Sequence, residues 1–175
     1  MVISQPHLEI LGLQQRHLWP AFRGIDRLVL ALYGGIAIAM RLAHRTSVDF
    51  DFFCHGPLQR DALRQTLPWI AQASVLQDQP DTHTLLTRPG GVKVSFFGGV
   101  HIGCITLPEK TNDEVMSVAS LLDLLGTKLK VILKRAEAKD DQDVVALLTS
   151  GLKLSTGIAA ARALYGVTVH GGANH

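Results

Sequence analysis

The chain has 175 residues, which fits one domain, and 47% of them are hydrophobic while 18% are charged. That composition excludes a disordered chain. The formal net charge of +2 is too small to indicate a nucleic-acid-binding protein by itself, although it is compatible with a local basic patch. The two cysteines, Cys54 and Cys104, have no paired metal-ligand spacing and are expected to be free thiols.

The N-terminal segment has neither a basic region nor a long apolar core, so the sequence predicts no signal peptide. The apolar stretch 28–40 contains Gly34 and Gly35 and is too short to cross a bilayer. We therefore expect a cytoplasmic protein with no membrane partner.

The first half of the chain predicts alternating helices and strands. Residues 8–19 are expected to form a leading helix. The apolar run 28–33 fits either a strand or a buried helix end, and periodicity does not separate the two. Residues 36–43 predict a helix because they are rich in Ala, Leu, Met and Arg. Residues 48–53 alternate in polarity and contain β-prone aromatics, which predicts a strand.

The next segment predicts a helix over 58–71, interrupted at Pro68, and then short strands separated by turn clusters. The expected strands cover 75–76, 82–86, 92–97 and 102–107, with 117–119 extended at most.

The end of the chain predicts three helices, over 120–135, 140–149 and 157–165. Ser120 and Asp123 have the spacing of a capping box at the start of the first of these helices. The predicted fold class is therefore α/β (α+β), with a mixed β-sheet, flanking helices and a helical C-terminal part. We expect one domain over 1–175, with an α/β core at about 20–115 and a helical end at 120–166.

Asp49 and Asp51 stand two residues apart in the predicted strand 48–53. Alternate residues of a strand share a face, so both carboxylates are expected to point the same way. Two such carboxylates form a ligand pair for Mg²⁺, which also takes substrate phosphate. Taken alone, the pair is better explained as the solvent-facing edge of an amphipathic strand.

Gly34 and Gly35 precede the predicted helix 36–43. A tight glycine turn that opens a helix lets backbone N–H groups approach a phosphate at the positive end of the helix dipole. A simple turn is the alternative. Together with Asp49 and Asp51, the turn predicts a site that holds a nucleoside triphosphate at one end and its metal at the other.

These residues resemble a known family. The Gly34-Gly35 turn with its short helix, followed by the segment 44–53, is similar to the nucleotidyltransferase domain of the AbiEii/AbiGii toxin family of abortive infection and type IV toxin–antitoxin systems. Segments 123–130 and 135–143 continue the similarity in the same order. The matched blocks cover about a third of the chain, and their joint occurrence is what makes the resemblance specific.

The resemblance implies a minimal nucleotidyltransferase fold that binds a nucleoside triphosphate with Mg²⁺, or with Mn²⁺ in its place. It also implies transfer of a nucleotidyl group to an acceptor, which is tRNA in some members, a role in phage defence and an antitoxin protein as partner. Asp49 and Asp51 would be metal ligands and catalytic residues. Lys128 would contact the triphosphate, and Asp140 or Asp143 would help catalysis.

Helical periodicity places Lys128 and Arg135 on one flank of the apolar face of the predicted helix 120–135. From that flank both cations can neutralise phosphate, or they can cover the rim of the core. Asp140 lies in the first turn of the next helix, where capping explains it as well as catalysis does. Asp143 is the better candidate for a functional role.

Arg45 and His44 are expected to contact the triphosphate or the acceptor, or to complement the C-terminal end of the helix dipole. Ser47 is a further candidate phosphate ligand, although a turn hydroxyl before a strand also explains it.

Two positions depart from the family pattern. Ile36 replaces the hydroxyl residue that usually follows the glycine turn, and an isoleucine side chain offers no hydrogen bond. Ser95 stands on the strand 92–97 where many nucleotidyltransferases carry a third carboxylate. Lys93, on the same face, could pair with phosphate or hold a carboxylate in place.

Three hypotheses follow: an enzyme, a non-catalytic module that binds nucleotide or a partner, and a toxin-like protein held in a stoichiometric complex with an antitoxin. Retention of Asp49 and Asp51 favours the enzyme, and the departures at Ile36 and Ser95 favour the module. An exposed apolar patch on the C-terminal helices would favour the toxin complex.

Overall fold

The computed structural model describes residues 2–3, 5–100, 104–135 and 137–166. Within those ranges an eight-stranded sheet carries α-helices on its faces. The strands are β1 (Val2–Ile3), β2 (Ala31–Tyr33), β3 (Phe50–Phe53), β4 (Ser74–Gln79), β5 (Thr82–Leu86), β6 (Lys93–Phe97), β7 (Glu109–Thr111) and β8 (Ser117–Val118). The helices are α1 (Leu13–Leu18), α2 (Gly34–Leu42), α3 (Arg60–Thr66), α4 (Leu121–Ile132), α5 (Ala138–Thr149) and α6 (Leu154–Tyr165).

The sheet is mixed, with the strand order β1-β7-β8-β2-β3-β6-β5-β4. Strand β3 lies near its centre, antiparallel to β2 and parallel to β6. The register places Tyr33, Asp51 and Ser95 side by side across these three strands. Since β2 ends at Tyr33, the Gly34 turn begins directly beside Asp51. The register alone thus brings the glycine turn and the acidic strand together.

The two faces of β3 have different surroundings. Phe50 and Phe52 are fully buried, and their rings lie 4.9 and 5.0 Å from that of Phe22. Asp51 and Phe53, which alternate with them, point to the opposite face and remain partly accessible. Burying each of these aromatic side chains stabilises the fold by roughly 1.5–3 kcal/mol. Because the phenylalanines hold one face of β3 in the core, Asp51 is fixed on the other face.

Helix α2 packs against α4 and α5, so the C-terminal helices contact the part of the chain that follows the glycine turn. Helix α2 ends where Ala43 adopts a left-handed φ of 51°. This turn out of the helix leads into the loop that carries His44 and Arg45. Helix α4 packs against both α5 and α6. The predicted α/β class, with its mixed sheet and helical C-terminal part, is confirmed, while the single-domain organisation of 1–175 stays a prediction.

Ser120 caps α4 as its sequence spacing predicts, because its hydroxyl accepts a hydrogen bond from the backbone N–H of Asp123 at 3.0 Å. The carboxylate of Asp123 accepts a hydrogen bond from the backbone N–H of Ile105 at 3.2 Å. The acid of this capping pair therefore also ties the preceding loop to the start of the helix.

Several predicted boundaries shift in the structure. The strand predicted over 48–53 begins only at Phe50, so Asp49 precedes it. Pairing with β2 stops at Asp51, because β2 gives way to α2 at Gly34. Helix α2 begins two residues earlier than predicted, at the first glycine. The undecided run 28–33 contains the end of a 3-10 turn followed by β2.

Two predicted helices are each interrupted in the structure, and one predicted strand does not form in its described part. The helix expected over 8–19 becomes a 3-10 turn and α1, and the helix expected over 58–71 becomes α3 and a 3-10 turn that starts at Pro68. Proline cannot continue the hydrogen bonding of an α-helix, which explains the second break. Of the strand expected over 102–107, residues 102–103 lie outside the described residues and 104–107 form no strand.

No single helix within the described ranges is long and apolar enough to cross a membrane. Helices α5 and α6 meet that criterion of length and composition only when they are taken together as a pair bent by 117°.

Candidate functional site

A cavity of about 340 Å³ opens where the start of α2, the beginning of β3 and one flank of α4 converge. Eight of the nine residues predicted for the site line it: Gly34, Gly35, Arg45, Ser47, Asp49, Asp51, Lys128 and Arg135. The ninth, Asp143, lies fully buried behind the wall that Arg45 and Lys128 form. Residues predicted from separate segments of the sequence are therefore neighbours in space.

The two glycines of the turn are each required by a different contact. Gly34 has a φ of 75°, which disfavours any residue with a side chain. A Cβ atom there would also lie 3.1 Å from Oδ2 of Asp51. A Cβ atom at Gly35 would collide with the guanidinium of Arg45. Because glycine has no side chain, the Asp51 carboxylate and the Arg45 guanidinium can both lie against the first turn of α2.

Asp51 sits deepest of the two predicted metal ligands. Burial raises the pKa of its carboxyl above the ordinary value, and the neighbouring Asp49 raises it further. Lys93, the Ser95 hydroxyl and Lys128 act in the opposite direction without cancelling the rise. Asp49 is more accessible, with 39% of its side chain exposed. Ionising both carboxylates is therefore unfavourable in this position, and a bound cation would lower that cost.

Lys93 and Ser95 flank this pair from β6. The Nζ atom of Lys93 lies 3.1 Å from Oδ2 of Asp49. Ser95 is buried and in register with Asp51. Its oxygen accepts a hydrogen bond from the Thr84 hydroxyl at 3.2 Å, which leaves its own proton free to be donated to Asp51.

Asp143 anchors three basic side chains at once. Arg45 binds it in a fork, with Nε 2.7 Å from Oδ1 and Nη2 2.8 Å from Oδ2. Lys128 Nζ lies 2.8 Å from Oδ2, and His44 Nε2 lies 2.7 Å from Oδ1. Burial raises the pKa of Asp143, but the hydrogen bonds from Arg45, Lys128 and His44 outweigh burial and hold the pKa below its ordinary value. Asp143 is therefore ionised and fully engaged.

Lys128 joins Asp143 to a second buried acid. Its Nζ atom lies 2.6 Å from Oδ1 of Asp140, whose other oxygen lies 3.4 Å from Nε of Arg135. Asp140 does not cap α5: the residue at the cap position is Glu137, which makes no side-chain capping bond. Asp140 does lie in the first turn of α5, where its charge complements the helix dipole, but its carboxylate pairs with Lys128 in place of a capping hydrogen bond.

Several lining residues were not singled out from the sequence. Lys139 and Thr127 add polar groups to the cavity, while Phe53 and Phe97 stack 4.9 Å apart at its apolar side. The alternation of β3 and β6 carried a signal for the two phenylalanines, because they share the face of Asp51 and Ser95. Ile36, by contrast, is fully buried, so the turn offers no side-chain hydroxyl to a ligand.

Asp49 and Asp51 fit a magnesium ion that is shared with a substrate. Mg²⁺ in proteins usually takes one or two carboxylates and completes its shell with water and phosphate oxygens. Among the described residues no group of three or more His, Cys, Asp or Glu side chains is placed to hold a metal. Asp49 and Asp51, beside a cavity that is lined with cations able to bind phosphate, match this preference of Mg²⁺. Burial, followed by the neighbouring Asp49, raises the pKa of Asp51, and a bound cation would favour its ionised form.

The comparison with known proteins agrees with this geometry. The model of the nucleotidyl transferase AbiEii toxin family of type IV toxin–antitoxin systems matches residues 21–172. An uncharacterized protein of Aquifex aeolicus (strain VF5), aq_aa25, is 31% identical over 115 residues, which cover 65% of this chain and 54% of that protein. This chain thus spans about half the length of that relative.

A solved structure shares the fold. The solution structure of the antibiotic-resistance factor ANT(2″)-Ia superposes with a TM-score of 0.63 and 14% sequence identity, covering 87% of this chain and 92% of that one. At that identity the similarity shows the nucleotidyltransferase fold alone. The family match, which extends over most of the chain, shows that this protein belongs to the AbiEii nucleotidyl transferase toxin family.

Proposed function

We propose that this protein is a Mg²⁺-dependent nucleotidyltransferase that transfers a nucleotidyl group from a nucleoside triphosphate to a hydroxyl of an RNA acceptor. One observation carries the proposal: Asp49 and Asp51 line the same cavity as the glycine turn and the cations Arg45, Lys128 and Arg135. Family membership supports it. The reaction forms an oxygen–phosphorus bond to the acceptor and breaks the α–β phosphate bond, with release of pyrophosphate and a proton.

The triphosphate is bound by backbone and cations in this proposal. The N–H groups of the first turn of α2 lack partners within the helix and lie at its positive end. Arg45 lies against this turn and Lys128 lines the cavity from α4, and Asp143 fixes both cations. Because these groups are already oriented before a ligand arrives, they stabilise negative charge on the phosphates with little reorganisation. Ser47 and Arg135 complete the lining.

Asp49 and Asp51 are the residues that would hold the divalent cation. When bound, it would supply positive charge beside the reacting phosphate and lower the pKa of the attacking hydroxyl. The carboxylate of Asp51 is fixed by the core side of β3 and by the turn at Gly34, whereas Asp49 is free to adjust because it precedes the strand. Mn²⁺ has the same preference for oxygen ligands and is expected to replace Mg²⁺.

Asp143 serves as a positioning residue in this mechanism. Its two oxygens already receive bonds from Arg45, Lys128 and His44, and it does not line the cavity. It therefore acts through the cations that it orients. Asp140 acts on Lys128 in the same way. This assignment refines the catalytic role that the family resemblance implies for Asp143.

An RNA acceptor fits the rim of the cavity. Arg135 and Lys139 line it with side chains that are 52% and 55% exposed. Both also pair with Glu137, and such exposed pairs exchange for contacts with phosphate at little cost. A basic rim beside a triphosphate site would steer a polyanion toward the reacting atoms.

A non-catalytic module that binds nucleotide or a partner protein is the second candidate function. The buried Ile36 and the serine at position 95 favour it, because the first removes a phosphate-binding hydroxyl and the second removes a third carboxylate. Under this alternative the cations of the cavity still bind a nucleotide, but no transfer follows.

Transfer of label separates the two functions. The protein is incubated with each α-labelled nucleoside triphosphate, Mg²⁺ or Mn²⁺ and a total RNA pool. We expect labelled RNA with the wild type, none with Asp49→Ala, and wild-type labelling with Asp61→Ala, whose carboxylate is 92% exposed on α3. Labelling by Asp49→Ala at the wild-type rate contradicts the metal assignment. Binding of nucleotide without any transfer supports the non-catalytic module.

Family membership also supports, as part of this proposal, a toxin role with a cognate antitoxin. Induced expression of the wild type in a bacterial host is expected to arrest growth, and Asp49→Ala is expected to relieve the arrest at equal protein level. Arrest by both forms would separate toxicity from nucleotidyl transfer and favour a stoichiometric interaction.

A further inference from the structure

The acidic pair of the site already has a cation at its side. Lys93 lies on the same face of β6 as Ser95, and its ammonium is 3.1 Å from Oδ2 of Asp49. The ammonium also acts electrostatically on Asp51. The Lys93 and Asp49 side chains are 44% and 39% exposed, so this pair adds little to the stability of the fold. The main effect of Lys93 is to offset part of the negative charge of Asp49 and Asp51.

The number of carboxylates limits how many metal ions the site can hold. Two divalent ions about 4 Å apart repel each other strongly, and two-metal sites offset this repulsion with several carboxylates. Here Ser95 occupies the position beside Asp51, and no third acid joins the pair among the described residues. Counted by formal charge, Asp49, Asp51 and Lys93 together leave one net negative charge. That charge suits one divalent ion.

We propose that the Lys93 ammonium takes the place of a second metal ion beside Asp49, so that the site holds a single divalent cation. Lys93 and Ser95 act together in this arrangement: the neutral hydroxyl of Ser95 replaces the carboxylate that a second ion would require, and the ammonium of Lys93 replaces that ion. The proposal rests on the proposed function, because it takes Asp49 and Asp51 as metal ligands.

Binding of Mn²⁺ tests the proposal without any measurement of activity. Free Mn²⁺ is titrated by electron paramagnetic resonance, first with Mn²⁺ alone and then with the α,β-methylene analogue of each ribonucleoside triphosphate. We expect one protein-bound ion per chain in the complex with the analogue. Without nucleotide, Lys93→Met is expected to bind Mn²⁺ about fivefold more tightly than the wild type, because a competing charge at about 4 Å is removed.

Two further variants separate the charge of Lys93 from its shape and from the net charge of the protein. Lys93→Arg keeps the cation and should leave the Mn²⁺ affinity near that of the wild type. Lys110→Met removes an equally exposed lysine, which pairs with Asp26 at 2.9 Å, and should have no effect on Mn²⁺ binding.

Two outcomes overturn the proposal: two bound ions in the wild-type complex, or a Lys93→Met variant that binds Mn²⁺ no more tightly than the wild type. Failure of the proposed function looks different. Asp51→Asn is expected to abolish Mn²⁺ binding, and wild-type binding by that variant would refute the metal assignment itself, whatever Lys93 does.

Discussion

Among single residues, Asp51 shows most directly how function opposes stability. Its carboxyl lies against the glycine turn and next to Asp49, and burial is the main reason that its pKa is raised. A carboxyl with a raised pKa in the folded state costs stability wherever it is ionised, and that cost disappears as the pH falls and the group is protonated. An ionised Asp51 therefore lowers the free energy of unfolding compared with a neutral side chain at the same position.

Replacement of Asp51 by asparagine should stabilise the protein and inactivate it. We expect Asp51→Asn to raise the free energy of unfolding at neutral pH by about 0.5–2 kcal/mol, since the buried charge is removed. The advantage should shrink as the pH falls, because the wild-type carboxyl becomes neutral too. Urea unfolding of both forms between neutral and acid pH measures the difference. A variant that is less stable than the wild type at neutral pH would contradict this account.

Gly35 governs the position of Arg45. A methyl group at this position overlaps the guanidinium, which must then leave its fork with Asp143. We expect Gly35→Ala to weaken nucleotide binding by roughly tenfold or more, as the loss of one charge-assisted hydrogen bond of about 1.5–3 kcal/mol implies. Calorimetric titration with a triphosphate measures the loss. Gly56→Ala, where no heavy atom stands within 4 Å of the added carbon, is the matched control.

At the scale of elements, α4, the helix that carries Lys128, packs closely against α6. Gly126 on α4 faces the backbone of α6, where an added Cβ would lie 3.0 Å from the backbone nitrogen of Ala161. Gly157 on α6 faces the side chain of Leu125, whose Cδ2 atom would lie 2.6 Å from an added Cβ. Glycine lowers helix propensity, so its presence inside the two helices is explained by the α6 backbone beside Gly126 and by the Leu125 side chain beside Gly157.

A larger residue at Gly126 should push the two helices apart. We expect Gly126→Val to lower the free energy of unfolding by about 1–3 kcal/mol, the usual cost of overpacking. Denaturant unfolding followed by circular dichroism measures it. Gly56→Val, at a position with open space around the added carbon and without a left-handed φ, is the control for the general effect of valine. A Gly126→Val protein as stable as the wild type would mean that the contact is not tight.

Over the whole molecule, Asp143 connects three segments that are distant in sequence. It lies on α5 and binds Lys128 of α4 as well as His44 and Arg45 of the loop after α2. These ion pairs lie next to the packing of α2 against α5. One buried carboxylate therefore links the helical end of the chain to the glycine turn and orients two cations of the cavity.

Removal of the Asp143 charge should destabilise the fold at neutral pH and remove the part of its pH dependence that comes from this carboxyl. The pKa of Asp143 is lowered from 3.8, so its contribution is fully present at neutral pH and is lost as the pH falls below 3.8 through the folded-state value. We expect Asp143→Asn to cost about 3 kcal/mol at neutral pH, because buried cations lose their partner. The difference from the wild type should narrow at acid pH, as measured by thermal unfolding across that range. A constant difference would contradict the linkage.

Local patterns predicted much of the site. The spacing of Asp49 and Asp51, the Gly34-Gly35 turn and the common flank of Lys128 and Arg135 are properties of single segments, and the structure brings all six residues to one cavity. Strand alternation and helix periodicity repeat over two to four residues, so they can be read without knowing what lies opposite.

Contacts between segments could not be predicted in this way. The sequence by itself determined the α/β class, the acidic pair, the glycine turn and the basic flank of α4. Only the tertiary structure decided that Asp143 is a buried anchor for Arg45 and Lys128, that Asp140 pairs with Lys128 instead of capping α5, and that Lys93 lies against Asp49. The reason is physical: these contacts depend on sheet register and on helix packing, which join residues up to about a hundred positions apart and leave no periodic signal within either segment.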